Sequence, residues 1–129
     1  MSLDINTHED MDHSLSGRPL ELTPDGAKVE LETSAVMAAD RHGLVHGGFI
    51  FSLADHAAML AVNHPNVVLG AAKTKFLRPV VVGEKVLAEA KVDRREGKKI
   101  FVQVTVDRGE ETVFEGEFTC FEPPKHVLA

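Results

Sequence analysis

Between residues 28 and 33 the chain alternates, with Val29, Leu31 and Thr33 on one side and Lys28, Glu30 and Glu32 on the other. A period of two marks a strand with one face buried and one face wet. The Pro24-Asp25-Gly26 turn stands just ahead of it. The alternation returns at 101–106, where Val102, Val104 and Val106 oppose Phe101, Gln103 and Thr105. Breaker-rich stretches at Pro79 to Gly83, "RREGKK" and "DRGEE" divide residues 67–122 into four strands.

The stretch "HGGFIFSLADHAAMLAVN", residues 46–63, has another period. Ile50, Leu53, Ala54, Ala57, Leu60 and Ala61 share one face of a helix from about Gly48 to Val62, which Asn63-His64-Pro65-Asn66 closes. One strand, one mostly apolar helix and a run of antiparallel strands fit a single sheet wrapped around that helix, an α+β hot-dog arrangement. An open edge on such a sheet is a liability, so edge-to-edge pairing into a homodimer is expected. Residues 1–18 show no periodicity and read as a mobile or loosely packed arm ahead of one domain, 19–129.

Composition narrows the function. A net charge of −6, from 20 acidic and 14 basic residues, argues against a nucleic-acid partner. The one cysteine, Cys120, permits no intrachain disulfide. The longest apolar-rich stretch, 49–62, is too short to cross a bilayer and is interrupted by Ser52, Asp55 and His56. A cytoplasmic protein with no membrane partner is therefore expected. His8 and His13 stand in no metal-ligand spacing, and neither do other residues, so a metal-free reaction without a cofactor is expected.

The chemistry concentrates on the helix. Gly47 and Gly48 stand where its first N–H groups lack internal acceptors and its dipole is positive, a place suited to an oxyanion. Asp55 shares a side with Ser52 and Met59. If that side is solvated, Asp55 is a surface charge; if packed, its carboxylate needs a partner or a raised pKa. Gly47 and Asp55 lie roughly 12 Å apart along the axis. If both serve one reaction, Asp55 must come from the antiparallel helix of a neighbouring subunit.

"HGGFIFSLADHAAMLAVN" followed by "FLRPVVVGEKVLAEAKV" resembles the hot-dog acyl-CoA thioesterases of the phenylacetic acid degradation type, over roughly residues 20–122. The resemblance implies that the Gly47 N–H polarises the thioester carbonyl while Asp55 of the partner subunit attacks or activates water. His46 joins the candidate catalytic set, with fixing the loop or capping the helix as its more ordinary role. Relatives often carry Asn or Gln seven residues before the first glycine; here Asp40 stands there, and His42 is the candidate replacement donor. They also commonly place Ser or Thr on the strand facing the carboxylate, a place that falls to Lys73 or Thr74.

The expected substrate is an aryl- or medium-chain acyl-CoA, its acyl pocket near Phe49, Phe51, Ser52, Met59 and Val67-Val68-Leu69, with Gly48 beside the carbonyl. Among Lys73, Lys75, Arg78, Arg94, Arg95, Lys98 and Lys99, Arg78 is the best single candidate for the coenzyme A phosphates. A homodimer, paired further into a homotetramer, is the expected assembly. Three other readings stand beside this one: a non-catalytic acyl-CoA-binding domain, a hot-dog dehydratase using His46 with Asp55, and a purely structural dimer.

Overall fold

The computed structural model describes residues 3–129; Met1 and Ser2, the start of the expected arm, lie outside the described residues. The elements run α1 (His13–Ser16), β1 (Arg18–Thr23), β2 (Gly26–Glu32), a 3-10 turn (Ala35–Met37), α2 (Gly47–Val62), β3 (Val68–Phe76), β4 (Lys85–Glu96), β5 (Lys99–Arg108) and β6 (Glu111–Phe121). All six strands form one antiparallel sheet in the order β1-β2-β4-β5-β6-β3. The sheet curls around α2, which packs mainly on β2, β4 and β5. This is the hot-dog fold.

The period-two positions face the helix. Val29, Leu31 and Thr33, and likewise Val102, Val104 and Val106, are all buried. From α2, Ala54, Ala57 and Ala58 are fully buried; side chains this small let helix and sheet backbones approach closely. Asn63, in the left-handed region at φ 53°, ends the helix, its N–H donating to the Met59 carbonyl.

Two elements differ from the sequence expectation. Strand β1 lacked a period-two signal: Pro19 sits in it, a bulge falls between Pro19 and Glu21, and as the sheet's edge it buries little. The N-terminal arm, expected to be loosely packed, is instead tied to α2. The Asn6 N–H donates to Asn63 Oδ1 at 2.8 Å, and Asn63 Nδ2 donates to the Asp4 carbonyl at 2.9 Å. Further on, Asp12 caps α1, and Ser16 Oγ lies 2.8 Å from Ser52 Oγ. Thr7 and Ser16 of this arm are buried. The anchors are isolated polar residues, which carry no periodic signature. Among the described residues, no helix is long and apolar enough to cross a membrane.

Candidate active site

Helix α2 begins at Gly47, with His46 as its N-cap and no side chain capping it. The N–H groups of Gly47 and Gly48 therefore keep the unpaired, electropositive character of a helix start. A side chain at either glycine would press on an aromatic ring, which would have to give by a few tenths of an ångström. A Cβ on Gly47 would lie 3.1 Å from the Phe76 ring, and one on Gly48 would lie 3.1 Å from the His46 ring. Phe76 thus covers Gly47, while His46 folds back over the first turn and meets Phe49 edge-on, centroids 6.4 Å apart. A cavity of about 320 Å³ opens here, lined among others by Gly47, Ile50, Phe76, Leu77 and Arg78. Arg78 stands at this cavity with its Nε 3.4 Å from Glu111.

Two turns further along, Asp55 occupies a different environment. Its Oδ1 is buried and has no hydrogen-bond partner among the described residues. Burial pushes its carboxyl from 3.8 up to about 6, because an ion loses more than a neutral acid when water is removed. Cys120 feels the same surroundings: burial foremost, with the Asp55 charge adding, pushes its thiol up to about 12. The cavity at Asp55, about 610 Å³, is walled by Met59, by Val67, Val68 and Leu69, by arm residues 6–11 and by His126. An unpaired buried acceptor costs about 1–3 kcal/mol; such groups concentrate where chemistry needs them.

The two cavities share no lining residue. Within the chain, the helix-start donor and the desolvated carboxylate stand roughly 12 Å apart on one helix.

The remaining candidates separate. Met59 is fully buried and lines the Asp55 cavity. Thr74 pairs with Gly116 on the sheet face that carries Phe114 and Phe118, towards α2; its Cγ2 would come 2.9 Å from a Cβ on Gly116. Lys73 is a correction, since strand alternation turns it to the outer face beside Lys75, Gln103 and Glu117. Asp40 holds its own turn through Oδ1, which accepts the N–H groups of His42 at 2.9 Å and Leu44 at 3.3 Å. The His42 side chain is exposed on that turn. Ser52 shares its hydroxyl with Ser16 of the arm at 2.8 Å. Arg94 and Arg95 are engaged by carboxylates on the sheet surface. Sequence reasoning missed the arm residues at the Asp55 cavity, and Phe76 and Leu77 at Gly47. Among the described residues, no group of three or more His, Cys, Asp or Glu is arranged to hold a metal ion.

The thioesterase superfamily profile matches residues 42–115. The structure of an uncharacterized protein from Pyrococcus horikoshii, PH1136, is similar with a TM-score of 0.96 at 50% identity, covering 100% of this chain and 99% of that one. A mutant of the phenylacetic acid degradation protein PaaI from Thermus thermophilus aligns with a TM-score of 0.79 at 30% identity, over 86% of this chain and 96% of that one. Among curated relatives, methylthioribose-1-phosphate isomerase of Aquifex aeolicus is 53% identical over 116 residues, 90% of this chain and 25% of the isomerase. Transcription factor FapR of Caldanaerobacter subterraneus is 34% identical over 99 residues, 77% of this chain and 49% of the factor. The chain thus spans about a quarter of the isomerase and about half of this transcription factor.

Proposed function

Because the chain belongs to the thioesterase superfamily, we propose that it hydrolyses acyl-CoA thioesters, of aryl or medium-chain acyl groups, at a composite site formed by two subunits. The observation that carries this reading is the half-buried Asp55 carboxylate, whose Oδ1 has no partner among the described residues. It faces a cavity large enough for an acyl group.

In the composite site, the thioester carbonyl rests on the Gly47 N–H of one protomer and Asp55 comes from the other. As a general base, Asp55 takes a proton from water while the hydroxide attacks the carbonyl carbon. The negative charge then develops on the carbonyl oxygen, beside the positive helix start, where one such donor supplies about 3–4 kcal/mol. Collapse breaks the C–S bond; the thiolate takes the proton from Asp55 and leaves as coenzyme A, with the free acid as second product. In the nucleophilic version Asp55 attacks directly, expels the thiolate and forms a mixed anhydride that water cleaves. A carboxyl near 6 is ionised at neutral pH yet more basic than an ordinary aspartate, which suits either role.

Support for a second subunit comes from the Gly47 end. Leu44, Phe76 and Leu77 are large, exposed and apolar around that cavity, and β3 is an open edge of the sheet. An apolar rim beside an open edge is what a partner would cover. Gly48 and His46 shape the carbonyl site, Met59 lines the cavity at Asp55, Thr74, facing α2 from β3, is the candidate hydroxyl of the composite site, and Arg78 is the candidate for a coenzyme A phosphate. A cytoplasmic homodimer, paired into a homotetramer, completes the proposal.

A second reading, acyl-CoA binding without turnover, is favoured by one observation: the chain matches about half of a transcription factor. Thiol release from phenylacetyl-, benzoyl-, butyryl- and octanoyl-CoA, by the wild type and by Asp55→Asn, separates the two. Turnover lost in Asp55→Asn with binding retained supports the thioesterase. Binding without turnover in the wild type supports the second reading.

A further inference from the structure

The superfamily match begins at residue 42, yet a wall of the Asp55 cavity is built from residues 6–11. This wall is held at both ends. Upstream, both polar ends of the Asn63 amide grip the arm backbone, Oδ1 at the Asn6 N–H and Nδ2 at the Asp4 carbonyl. Downstream, Ser16 is fixed to α2 by its hydroxyl on Ser52 and by its carbonyl on His56 Nδ1 at 2.9 Å. Between the anchors the chain reverses at His8, whose φ of 54° lies in the left-handed region, and the Met11 N–H returns to the His8 carbonyl. Thr7 is buried beneath this reversal, its hydroxyl 2.8 Å from His8 Nδ1. A non-glycine residue held at positive φ, with both flanks anchored, marks a shaped segment rather than a passing tail.

We infer that the anchored arm is the specificity wall of the acyl site, with Met11 setting how large an acyl group fits beside Asp55. This rests on the thioesterase reading for its substrate class. The other walls, from α2 and residues 65–69, are framed by the fold. The arm is tied by few bonds at its upstream end, so it is the side of the cavity that can differ in depth without disturbing the sheet. Met11 is the largest apolar side chain that the arm brings to the cavity, and an unbranched thioether fills space that an acyl chain would otherwise take.

The test is a series of acyl-CoA esters of increasing chain length, from butyryl to dodecanoyl, on the full chain and three variants. Met11→Ala removes bulk from the wall and Met11→Phe adds it. Asn63→Gly keeps the left-handed helix end, which glycine adopts freely, but releases both upstream tethers. In parallel, Kd is measured for the matching thioether analogues, which bind but cannot be hydrolysed. The expected result is opposite shifts: the ratio of long-chain to short-chain kcat/KM, and of the matching affinities, rises roughly tenfold in Met11→Ala and Asn63→Gly and falls as much in Met11→Phe. Ratios unchanged in all three variants overturn the arm as specificity wall. A wild type that binds the analogues without hydrolysing the esters overturns the thioesterase reading alone, and the affinity ratios then decide the arm. Failure of every analogue to bind overturns both.

Discussion

The carbonyl oxygen of Ser16 accepts a hydrogen bond from Nδ1 of His56 at 2.9 Å, joining the end of the arm to the middle of the central helix. His56 is fully buried, and the ring of His13 stacks beside it with centroids 6.4 Å apart. Replacement by alanine leaves the Ser16 carbonyl unpaired and opens a void. His56→Ala is therefore expected to lose about 3 kcal/mol, measured by urea denaturation at pH 8.

Acid should reveal the same residue. Burial foremost, and the neighbouring His13, hold His56 below its ordinary 6.5, against the Ser16 bond, which raises it. As pH falls through 6.5 the unfolded chain takes up this proton before the folded one does. The stability contributed by neutral His56 is thus full above that pH and is lost as pH falls below it. Comparing pH 8 with pH 5, the stability deficit of His56→Ala relative to wild type should shrink.

Asp55 works in the opposite sense. Its carboxyl is near 6 when folded against 3.8 otherwise, so the folded chain holds a proton that the unfolded chain has released between those values. Above 6 the buried charge costs stability, roughly 2–3 kcal/mol at about 1.4 kcal/mol per pH unit, and the cost fades as pH falls towards 4. Asp55→Asn should then be more stable than wild type at pH 8 but not at pH 4, by chemical denaturation. Activity should follow the carboxylate, with kcat/KM rising as pH increases through about 6. A flat profile there would count against Asp55 as base.

A composite site makes a mixing prediction. Gly47→Pro deletes one backbone donor but keeps the helix, since proline suits the first helical position and His46 is already extended at ψ 131°; the Phe76 ring, 3.1 Å from the added Cβ, has to shift to admit it. Gly47→Pro and Asp55→Asn homodimers should each be inactive. After subunit exchange, half the dimers are mixed and each regains one intact site, so roughly a quarter of wild-type activity should return. No recovery, with exchange verified by mass spectrometry, would place both groups' sites within single chains.

The two candidates on β3 should part company. Thr74→Val is expected to lower kcat/KM about tenfold, the range of a lost hydrogen bond to a reacting group, because Thr74 faces α2. Lys73→Ala, on the outer face, should leave kcat/KM within twofold of wild type.

The strands at 28–33 and 101–106 and the helix that carries Gly47 and Asp55 were all written in local periodicity. An apolar set at two-residue or helical spacing has one economical burial, and that burial fixes the fold. The separation of Gly47 from Asp55 was legible too, since helical rise converts residue count to distance. Tertiary structure decided what periodicity does not encode. Whether Asp55 is solvated or buried depended on residues 67–69 and on an arm that arrives from 44 residues or more upstream, anchored by single polar contacts at Asn63 and Ser16. The pairing of β3 with β6 turned Thr74 inward and Lys73 outward, and the turn at Asp40 engaged one oxygen of its carboxylate. Periodicity reports which face of an element is buried; only the assembled chain determines what lies against it.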